Sequence, residues 1–219
     1  MTRTVREWFQ ALGLSRLAFA ATLILLSLWA GPSFFSDHAD SLESKMLEGL
    51  HQRIPKEIGS ILLFVYQLSG VHVTAFLVLM VLCYLALKGF WPDLICIATG
   101  TAGILVIVDG ILKPWFDRDR PDEKLLALGG PSFPSGHAAG SVVFYFMSCT
   151  LLAAHYPSMR RPLFVISSLW VSLVWLSTLY CRAHWPSDIL AGAAVGYVWL
   201  SFCLSGLTVW ERYNRKRFE

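Results

Sequence analysis

Long apolar stretches alternate with short polar breaks along the 219-residue chain. A membrane-spanning helix needs about 20 mainly apolar residues. Stretches of that kind lie at 15–35, 71–90, 93–115, 137–155, 161–181 and 187–209. Proline, glycine and charged residues mark the breaks between them, as expected where helices end. The pattern therefore predicts an all-α integral membrane protein, with six transmembrane helices in a single domain, 1–219.

One further apolar segment, 58–69, has about a dozen residues and is too short to cross the hydrocarbon core of a bilayer. We expect it to form a re-entrant or interfacial helix that leads into the second span. Residues 1–57 then form an N-terminal anchor and an outer loop, and residues 58–219 form the core. The first apolar stretch follows arginines as a signal peptide does. Because Leu28-Trp29-Ala30 is a poor cleavage site, we predict a retained membrane anchor.

The composition agrees with a bilayer as the solvent, since 55% of the residues are hydrophobic and only 15% are charged. The net charge of +3 is small and no basic run interleaves with aromatic residues, so nucleic acid is not an expected partner. The cysteines lie in or at the ends of apolar stretches, without CxxC or metal-ligand spacing. We interpret all five as helix-packing residues: Cys83, Cys96, Cys149, Cys181 and Cys203.

The loops differ in charge, and Lys and Arg accumulate on the cytoplasmic side of membrane proteins. With six spans, one side carries a basic set with few acids: Arg3, Arg6, Arg16, Lys88, Arg160, Arg161, Arg212, Arg215, Lys216 and Arg217. The opposite side holds loops 36–57, 116–136 and 182–186, in which basic residues mix with most of the acids. We therefore predict a multi-pass protein of a bacterial-type inner membrane. Both termini would be cytoplasmic, and the second set of loops would face the periplasm or the outside.

Two segments on this outer side suit the binding of an anion. Lys113 and Arg120 lie at the outer end of the third span, where a movable point charge and a planar guanidinium can meet phosphate oxygens. Alone, they are also typical of cations that snorkel to the membrane surface. Ser135 and Gly136 precede the fourth span, where a glycine lets the free N–H groups of a helix start approach an anion. An ordinary helix cap formed by Ser135 is the alternative.

His184 and Asp188 lie four residues apart at the start of the sixth span, and therefore share one face of a helix. Asp188 can accept a hydrogen bond from one imidazole nitrogen and leave the other basic, as in a nucleophile oriented by a carboxylate. A polar pair that caps a helix start is one alternative, and a pair of metal ligands is another. Because Lys113, Arg120 and Arg182 would repel a cation and no further residue has ligand spacing nearby, we predict an anion site without a metal.

Taken in order, the three segments resemble the type 2 phosphatidic acid phosphatase (PAP2) family, which includes bacterial acid phosphatases and vanadium haloperoxidases. The family pattern is K-x6-RP, then PSGH, then SR-x5-H-x3-D. Lys113 through Arg120-Pro121 matches the first part, and Pro134 through His137 matches the second. His184 and Asp188 match the end of the third. The resemblance covers the larger, C-terminal part of the chain and implies a PAP2-like helical bundle.

The resemblance also implies a role for each matching residue. His184 would attack phosphorus and become a phosphohistidine, with Asp188 as its orienting carboxylate, and His137 would protonate the leaving alcohol. Four residues would hold the phosphoryl oxygens and stabilise the charge of the transition state: Lys113, Arg120, Ser135 and Gly136. Such a mechanism requires no metal and no organic cofactor.

One position departs from the family pattern, because the arginine six residues before the nucleophile falls at Thr178. Arg182 lies four residues further on and would reach the same phosphate if the fifth span is still helical there. Alternatively, Arg182 is only a surface residue or a headgroup contact. Inside the third span, Asp109 is expected to pair with Lys113, since an acid within an apolar span is usually paired.

The expected function is a membrane lipid phosphatase that hydrolyses a phosphomonoester or a diphosphate on a lipid. Polyprenyl diphosphate, phosphatidylglycerophosphate, phosphatidic acid and lipid A phosphates are the candidate substrates. The first alternative is a lipid-to-lipid phosphotransferase, in which an acceptor headgroup resolves the phosphohistidine. The second is a non-catalytic protein that binds lipid phosphate, which Thr178 suggests. A soluble vanadate-binding oxidase is disfavoured because such relatives do not have six membrane spans.

Overall fold

The computed structural model describes residues 18, 19, 21, 22 and 42–218, with side chains as far as residue 214. Within these residues all regular secondary structure is helical. The helices are α1 Leu42–Arg53, α2 Lys56–Leu68, α3 Val71–Lys88, α4 Trp91–Phe116, α5 Gly136–His155, α6 Arg160–Tyr180 and α7 Pro186–Phe218. The predicted first span, 15–35, falls almost wholly outside the described residues, so the count of six spans stays a prediction.

Helices α3 to α7 are the five helices in the described part of the chain that are long and apolar enough to cross a bilayer. They confirm the second to sixth spans read from hydropathy, with ends that differ by a few residues. The largest difference is in α7, which continues to Phe218 and not 209. Its last segment has neither proline nor glycine, so the helix extends past the apolar stretch. The chain is a multi-pass membrane protein.

Helix α2 is the short apolar helix expected from segment 58–69. Its 13 residues rise about 20 Å at 1.5 Å each, less than the hydrocarbon thickness of about 30 Å. One face of α2 packs against α6, where Gly59 lies so close to the Tyr180 hydroxyl that an added Cβ would stand 1.9 Å from it. The other face exposes Ile58, Ile61 and Phe64. Its re-entrant or interfacial position stays a prediction.

Helix α4 contains a π-helical segment, Val106–Leu112, followed by a last α-helical turn that begins at Lys113. Such segments insert an extra residue per turn and occur frequently at functional sites. Asp109 lies in the π segment, and its carboxylate is 2.6 Å from Lys113 Nζ. The predicted ion pair inside the third span is therefore confirmed.

Helix α5 occupies the centre of the bundle and contacts α4, α6 and α7. Its buried Val143 and Met147 pack in one core cluster with Ile97 of α4. The five cysteines are all free thiols, and three of them are buried: Cys96, Cys149 and Cys181. Since neighbouring helices run in opposite directions, the end of α4 and the starts of α5 and α7 meet at one end of the bundle. This end, which we call the motif end, carries the residues singled out in the sequence.

Candidate active site

The segment between α6 and α7 carries the candidate nucleophile. His184 is 2% exposed, and Asp188, in the first turn of α7, is fully buried. His184 Nδ1 lies 3.4 Å from Asp188 Oδ2, and the same oxygen accepts a hydrogen bond from the backbone N–H of Trp185 at 2.9 Å. The carboxylate thus faces one imidazole nitrogen and leaves Nε2 for a reaction partner. The sequence prediction of a paired His184 and Asp188 agrees with this geometry.

Charges around His184 act on its protonation state in opposite directions. Burial lowers the pKa of His184 below its ordinary value of 6.5, because the desolvated imidazolium ion is unfavourable. Asp188 raises the pKa through its hydrogen bond and its charge, whereas Arg120 and Lys113 lower it. The net effect lowers the pKa of His184, so the imidazole is neutral at neutral pH. A nucleophile must be in this neutral form.

His137 lies in the first turn of α5 and faces the same region. Its ring centroid is 6.4 Å from that of His184, and its other side stacks on Tyr66 of α2 at 4.8 Å. The Nε2 atom of His137 is buried without a hydrogen-bond partner among the described residues. A buried polar atom without a partner is costly. His137 Nε2 is therefore suited to a proton transfer with a bound substrate.

Ser135 and Gly136 begin α5 beside the two histidines. Ser135 is the N-cap residue, and its Oγ accepts a hydrogen bond from the Ala138 N–H at 3.2 Å. The capping role weighed in the sequence is therefore present. A Cβ added at Gly136 would lie 3.7 Å from Lys113 Nζ, so the ammonium group stands directly beside the helix start. Free N–H groups and a neighbouring cation together favour a bound anion.

Arg120 is held close to His184 by backbone carbonyl groups. Its Nη1 donates to Ala183 O at 2.7 Å, Nε donates to Gly130 O at 3.0 Å, and Nη2 donates to Pro131 O at 3.3 Å. Each terminal nitrogen carries a second N–H, which leaves donors for a phosphoryl oxygen. The guanidinium is therefore oriented before any ligand arrives. Lys113 and Arg120 lie at the motif end, as the sequence predicts.

Thr178 and Arg182 differ from the expected geometry. Helix α6 ends at Tyr180, and Arg182 follows with a left-handed φ of 50°. The N–H groups of Arg182 and Ala183 bond back to Leu179 O and Thr178 O, a common helix-ending arrangement. The premise that the fifth span is still helical at Arg182 is therefore wrong. Instead, the Arg182 guanidinium pairs with two carboxylates, those of Glu48 and Glu123.

Two charged residues at this end escaped the sequence analysis. Arg118, inside the spacer of the first motif, donates to Asp188 Oδ1 at 2.7 Å and to Glu43 Oε2 at 2.6 Å. Glu43 lies in α1, 75 residues before Arg118. The spacer position gave no signal for Arg118, and the polar segment around Glu43 carries no motif. Only the alternating charges of residues 117–120 mark that stretch as unusual.

No group of three or more His, Cys, Asp or Glu side chains that could hold a metal ion occurs within the described residues. The cations Lys113 and Arg120 lie near the two histidines and act on both electrostatically. Together with the capped start of α5, they form a positively charged, partly desolvated environment. Such an arrangement stabilises a polyanionic group and the charge that develops when a phosphoryl group is transferred.

Comparison with known proteins gives concordant matches. A profile of the PAP2 superfamily matches residues 93–212. Phosphatidylglycerophosphatase B of Bacillus subtilis is 30% identical over 115 residues, 51% of this chain and 55% of that protein. Lipid A 1-phosphatase of Porphyromonas gingivalis is 38% identical over 82 residues, which are 37% of this chain and 16% of that protein.

A mammalian relative and a solved structure extend the comparison. The mouse glucose-6-phosphatase catalytic subunit 1 is 31% identical over 98 residues, 40% of this chain and 25% of that protein. The chain thus aligns with about half or less of the length of these curated relatives. A transmembrane PAP2-type phosphatidylglycerolphosphate phosphatase of Bacillus subtilis has a crystal structure with a TM-score of 0.74. It is 19% identical, and the match covers 90% of this chain and 96% of that one.

Proposed function

Because the chain belongs to the PAP2 superfamily, we propose that it is a membrane phosphatase that hydrolyses a phosphomonoester or a diphosphate on a lipid. The observation that carries the proposal is the meeting of the buried His184 and the partly buried His137 with cations and a helix start at the motif end. Two relatives named as lipid phosphatases support a lipid substrate. Because one relative is named as a glucose-6-phosphatase, an assay must also include a soluble sugar phosphate as substrate.

The proposed reaction has two steps. In the first, His184 Nε2 attacks phosphorus, the bond from phosphorus to the lipid oxygen breaks, and His137 gives its proton to that oxygen. In the second, water attacks the phosphohistidine, its proton passes to His137, and the bond from phosphorus to His184 breaks to release inorganic phosphate. Asp188 accepts a hydrogen bond from the Nδ1–H group and stabilises the charge on the imidazole during both steps.

The phosphoryl oxygens are proposed to bind at Lys113, Arg120 and the start of α5, where Ser135 contributes its hydroxyl group and Gly136 its backbone N–H. Arg182 remains the candidate to replace the family arginine that is missing at Thr178. To act as a ligand, its guanidinium must exchange the carboxylates of Glu48 and Glu123 for the substrate.

The site is proposed to face the periplasm or the outside of a bacterial-type membrane. The uneven distribution of Lys and Arg between the two sets of loops supports this orientation. A lipid phosphate of the outer leaflet then reaches the motif end from the side, between apolar helix faces. Both termini would lie in the cytoplasm.

A phosphate-release assay with purified protein in detergent tests the function. We expect release from at least one of four lipids: phosphatidylglycerophosphate, phosphatidic acid, polyprenyl diphosphate or a lipid A phosphate. Glucose 6-phosphate serves as the soluble substrate. Release without an added acceptor lipid distinguishes a hydrolase from a lipid-to-lipid phosphotransferase. The wild-type protein and His184→Gln are compared, so that any contaminating phosphatase is recognised.

The loss of an arginine at Thr178 favours one other function, the binding of lipid phosphate without turnover. The side chain of Thr178 is buried and donates to Trp175 O at 2.7 Å, so it supplies no charge to the motif end. Saturable binding of a lipid phosphate, with neither phosphate release nor a phosphoenzyme, would support this function and contradict the proposed hydrolase.

A further inference from the structure

Arg118 is a buried cation that the proposed phosphate site does not use. Its side chain is 2% exposed and is enclosed by the face of the Trp185 ring, whose centroid is 5.2 Å from the guanidinium carbon. Nη1 donates to Asp188 Oδ1 at 2.7 Å and to Ser187 Oγ at 2.9 Å. Nη2 donates to Glu43 Oε2 at 2.6 Å. A buried charge requires such partners, and its contacts are strong when both groups are ionised.

The contacts of Asp188 divide its two oxygens between different partners. Oδ1 receives Arg118, whereas Oδ2 receives the Trp185 N–H and faces His184 Nδ1. Because the two sets of donors lie on opposite sides of the carboxylate, its plane is fixed with one oxygen towards the imidazole. Without Arg118, Oδ1 would lose this strong donor, and only the Trp185 N–H at Oδ2 would hold the plane of the carboxylate.

Glu43 connects α1 to the same group. Its Oε2 accepts from Arg118, and its Oε1 accepts from the backbone N–H of Ser187 at 2.8 Å. This N–H lies in the first turn of α7, where a negative charge is favourable. Glu43 therefore fixes both Arg118 and the helix start that carries Asp188. It also balances the charge of a cation that would otherwise share a single carboxylate with the imidazole.

We propose that Arg118, anchored by Glu43, is a positioning residue for His184: it holds the Asp188 carboxylate in the orientation in which Oδ2 faces the imidazole. The inference rests on the proposed function of His184 as nucleophile. It assigns to α1, which lies outside the sequence motifs, a part in preparing the site. A purely structural ion network would stabilise the fold but would leave kcat unchanged in a variant that keeps the charge of Arg118.

The charges predict opposite effects from the two ends of the network. Removing the positive charge of Arg118 lets Asp188 stabilise the imidazolium more strongly, so the pKa of His184 rises. Removing the negative charge of Glu43 leaves Arg118 to act on Asp188 alone, so the pKa of His184 falls. The other ionisable groups around His184 are unchanged in these variants: Tyr66 of α2, Lys113 of α4, Arg120 in the following loop, His137 of α5, and Cys181 and Arg182 after α6.

The acid limb of the pH profile of kcat/KM measures this difference. With the best substrate of the panel, Arg118→Met should move the limb up by about one pH unit, the effect of one nearby charge. Glu43→Gln should move it down by a smaller amount. Arg118→Lys keeps the charge but not the fork, so kcat should fall about tenfold with KM and the limb nearly unchanged. Glu57→Gln, an exposed acid in the first turn of α2, is the matched control and should change none of these quantities.

A second measurement does not depend on turnover. In ¹⁵N-histidine spectra of the full chain in detergent, the His184 signals are identified by their loss in His184→Gln. We expect the Nδ1–H tautomer in wild type, and titration at higher pH in Arg118→Met than in wild type. If Arg118→Met does not fold, the predicted downward shift of the His184 pKa in Glu43→Gln still tests the proposal.

The two inferences fail in different ways. Absence of phosphate release from every substrate, with the expected spectra, would overturn the function and leave the positioning role. An active enzyme whose acid limb and His184 titration coincide in wild type, Glu43→Gln and Arg118→Met would overturn the positioning role alone. In that case the variants would differ only in thermal stability.

Discussion

The backbone N–H of Ser135 donates a hydrogen bond to the carbonyl oxygen of Asp188 at 3.0 Å. This bond joins the start of α5 to the start of α7, and thereby joins the proposed anion site to the proposed nucleophile. The two segments are 53 residues apart in the sequence, so their register depends on how α5 and α7 pack. Gly192, one turn after Asp188, determines that packing: an added Cβ would lie 2.4 Å from Ser135 O.

The first prediction concerns this close approach. Gly192→Ala places a methyl group against the backbone of Ser135, which cannot move aside as a flexible side chain can. We expect a loss of stability of about 1–3 kcal/mol from overpacking, together with a loss of activity because the starts of α5 and α7 separate. Thermal unfolding in detergent and phosphate release measure the two effects. Gly140→Ala is the matched control, since an added Cβ at Gly140 has no atom within 4 Å.

The second prediction concerns the nucleophile. His184→Gln removes the nitrogen that forms the bond to phosphorus, so phosphate release should fall to the level of the uncatalysed or contaminating reaction while the protein remains folded. Labelled substrate should give an acid-labile phosphoenzyme in wild type and none in the variant. His72→Gln, at an exposed histidine near the start of α3, should behave as wild type. A phosphoenzyme that persists in His184→Gln would show that another residue is the nucleophile.

Hydropathy and motif spacing predict much of this architecture from the sequence. The spans at α3 to α7 follow from the length of the apolar stretches. The choice of four candidate site residues follows from the order of the motifs along the chain: Lys113, Arg120, His137 and His184. Arg118 and Glu43 could not be found in this way, because their interaction joins a motif spacer to a helix 75 residues away. The end of α6 was also missed, since Arg182 has no glycine or proline to mark a left-handed residue.

The third prediction tests the orientation in the membrane. Ala127→Cys and Ser158→Cys place single thiols at exposed positions on opposite ends of the bundle, in a protein whose five native cysteines are replaced by serine. We expect an impermeant thiol reagent to label the first variant in intact cells and the second only after lysis. Labelling of Ser158→Cys alone in intact cells would reverse the orientation, and with it the proposal of an outer-leaflet substrate.

The fourth prediction concerns Arg182 as a phosphate ligand in place of the arginine missing at Thr178. A hydrogen bond to a charged group contributes about 1.5–3 kcal/mol, and about 1.4 kcal/mol corresponds to a factor of ten. Arg182→Ala should therefore lower kcat/KM about ten- to a hundredfold. Arg182→Lys should recover only part, because an ammonium group lacks the planar fork. Arg53→Ala, at an exposed arginine of α1, is the control and should leave kcat/KM unchanged.

Variants of the two carboxylates that hold Arg182 show whether Arg182 is a phosphate ligand or only part of a structural ion pair. If Arg182 must leave Glu48 and Glu123 to reach phosphate, then Glu48→Gln and Glu123→Gln release it and should leave kcat/KM equal to or above that of wild type. If the pairs only stabilise the loop after α6, these variants and Arg182→Ala should all lower the unfolding temperature, with kcat/KM within about twofold of wild type.

The double variant Thr178→Arg with Arg182→Ala adds a third comparison, because an arginine at the family position should restore the activity that Arg182→Ala removes. Failure of that restoration, with kcat/KM already near wild type in Arg182→Ala, would limit the phosphate ligands to Lys113, Arg120 and the start of α5.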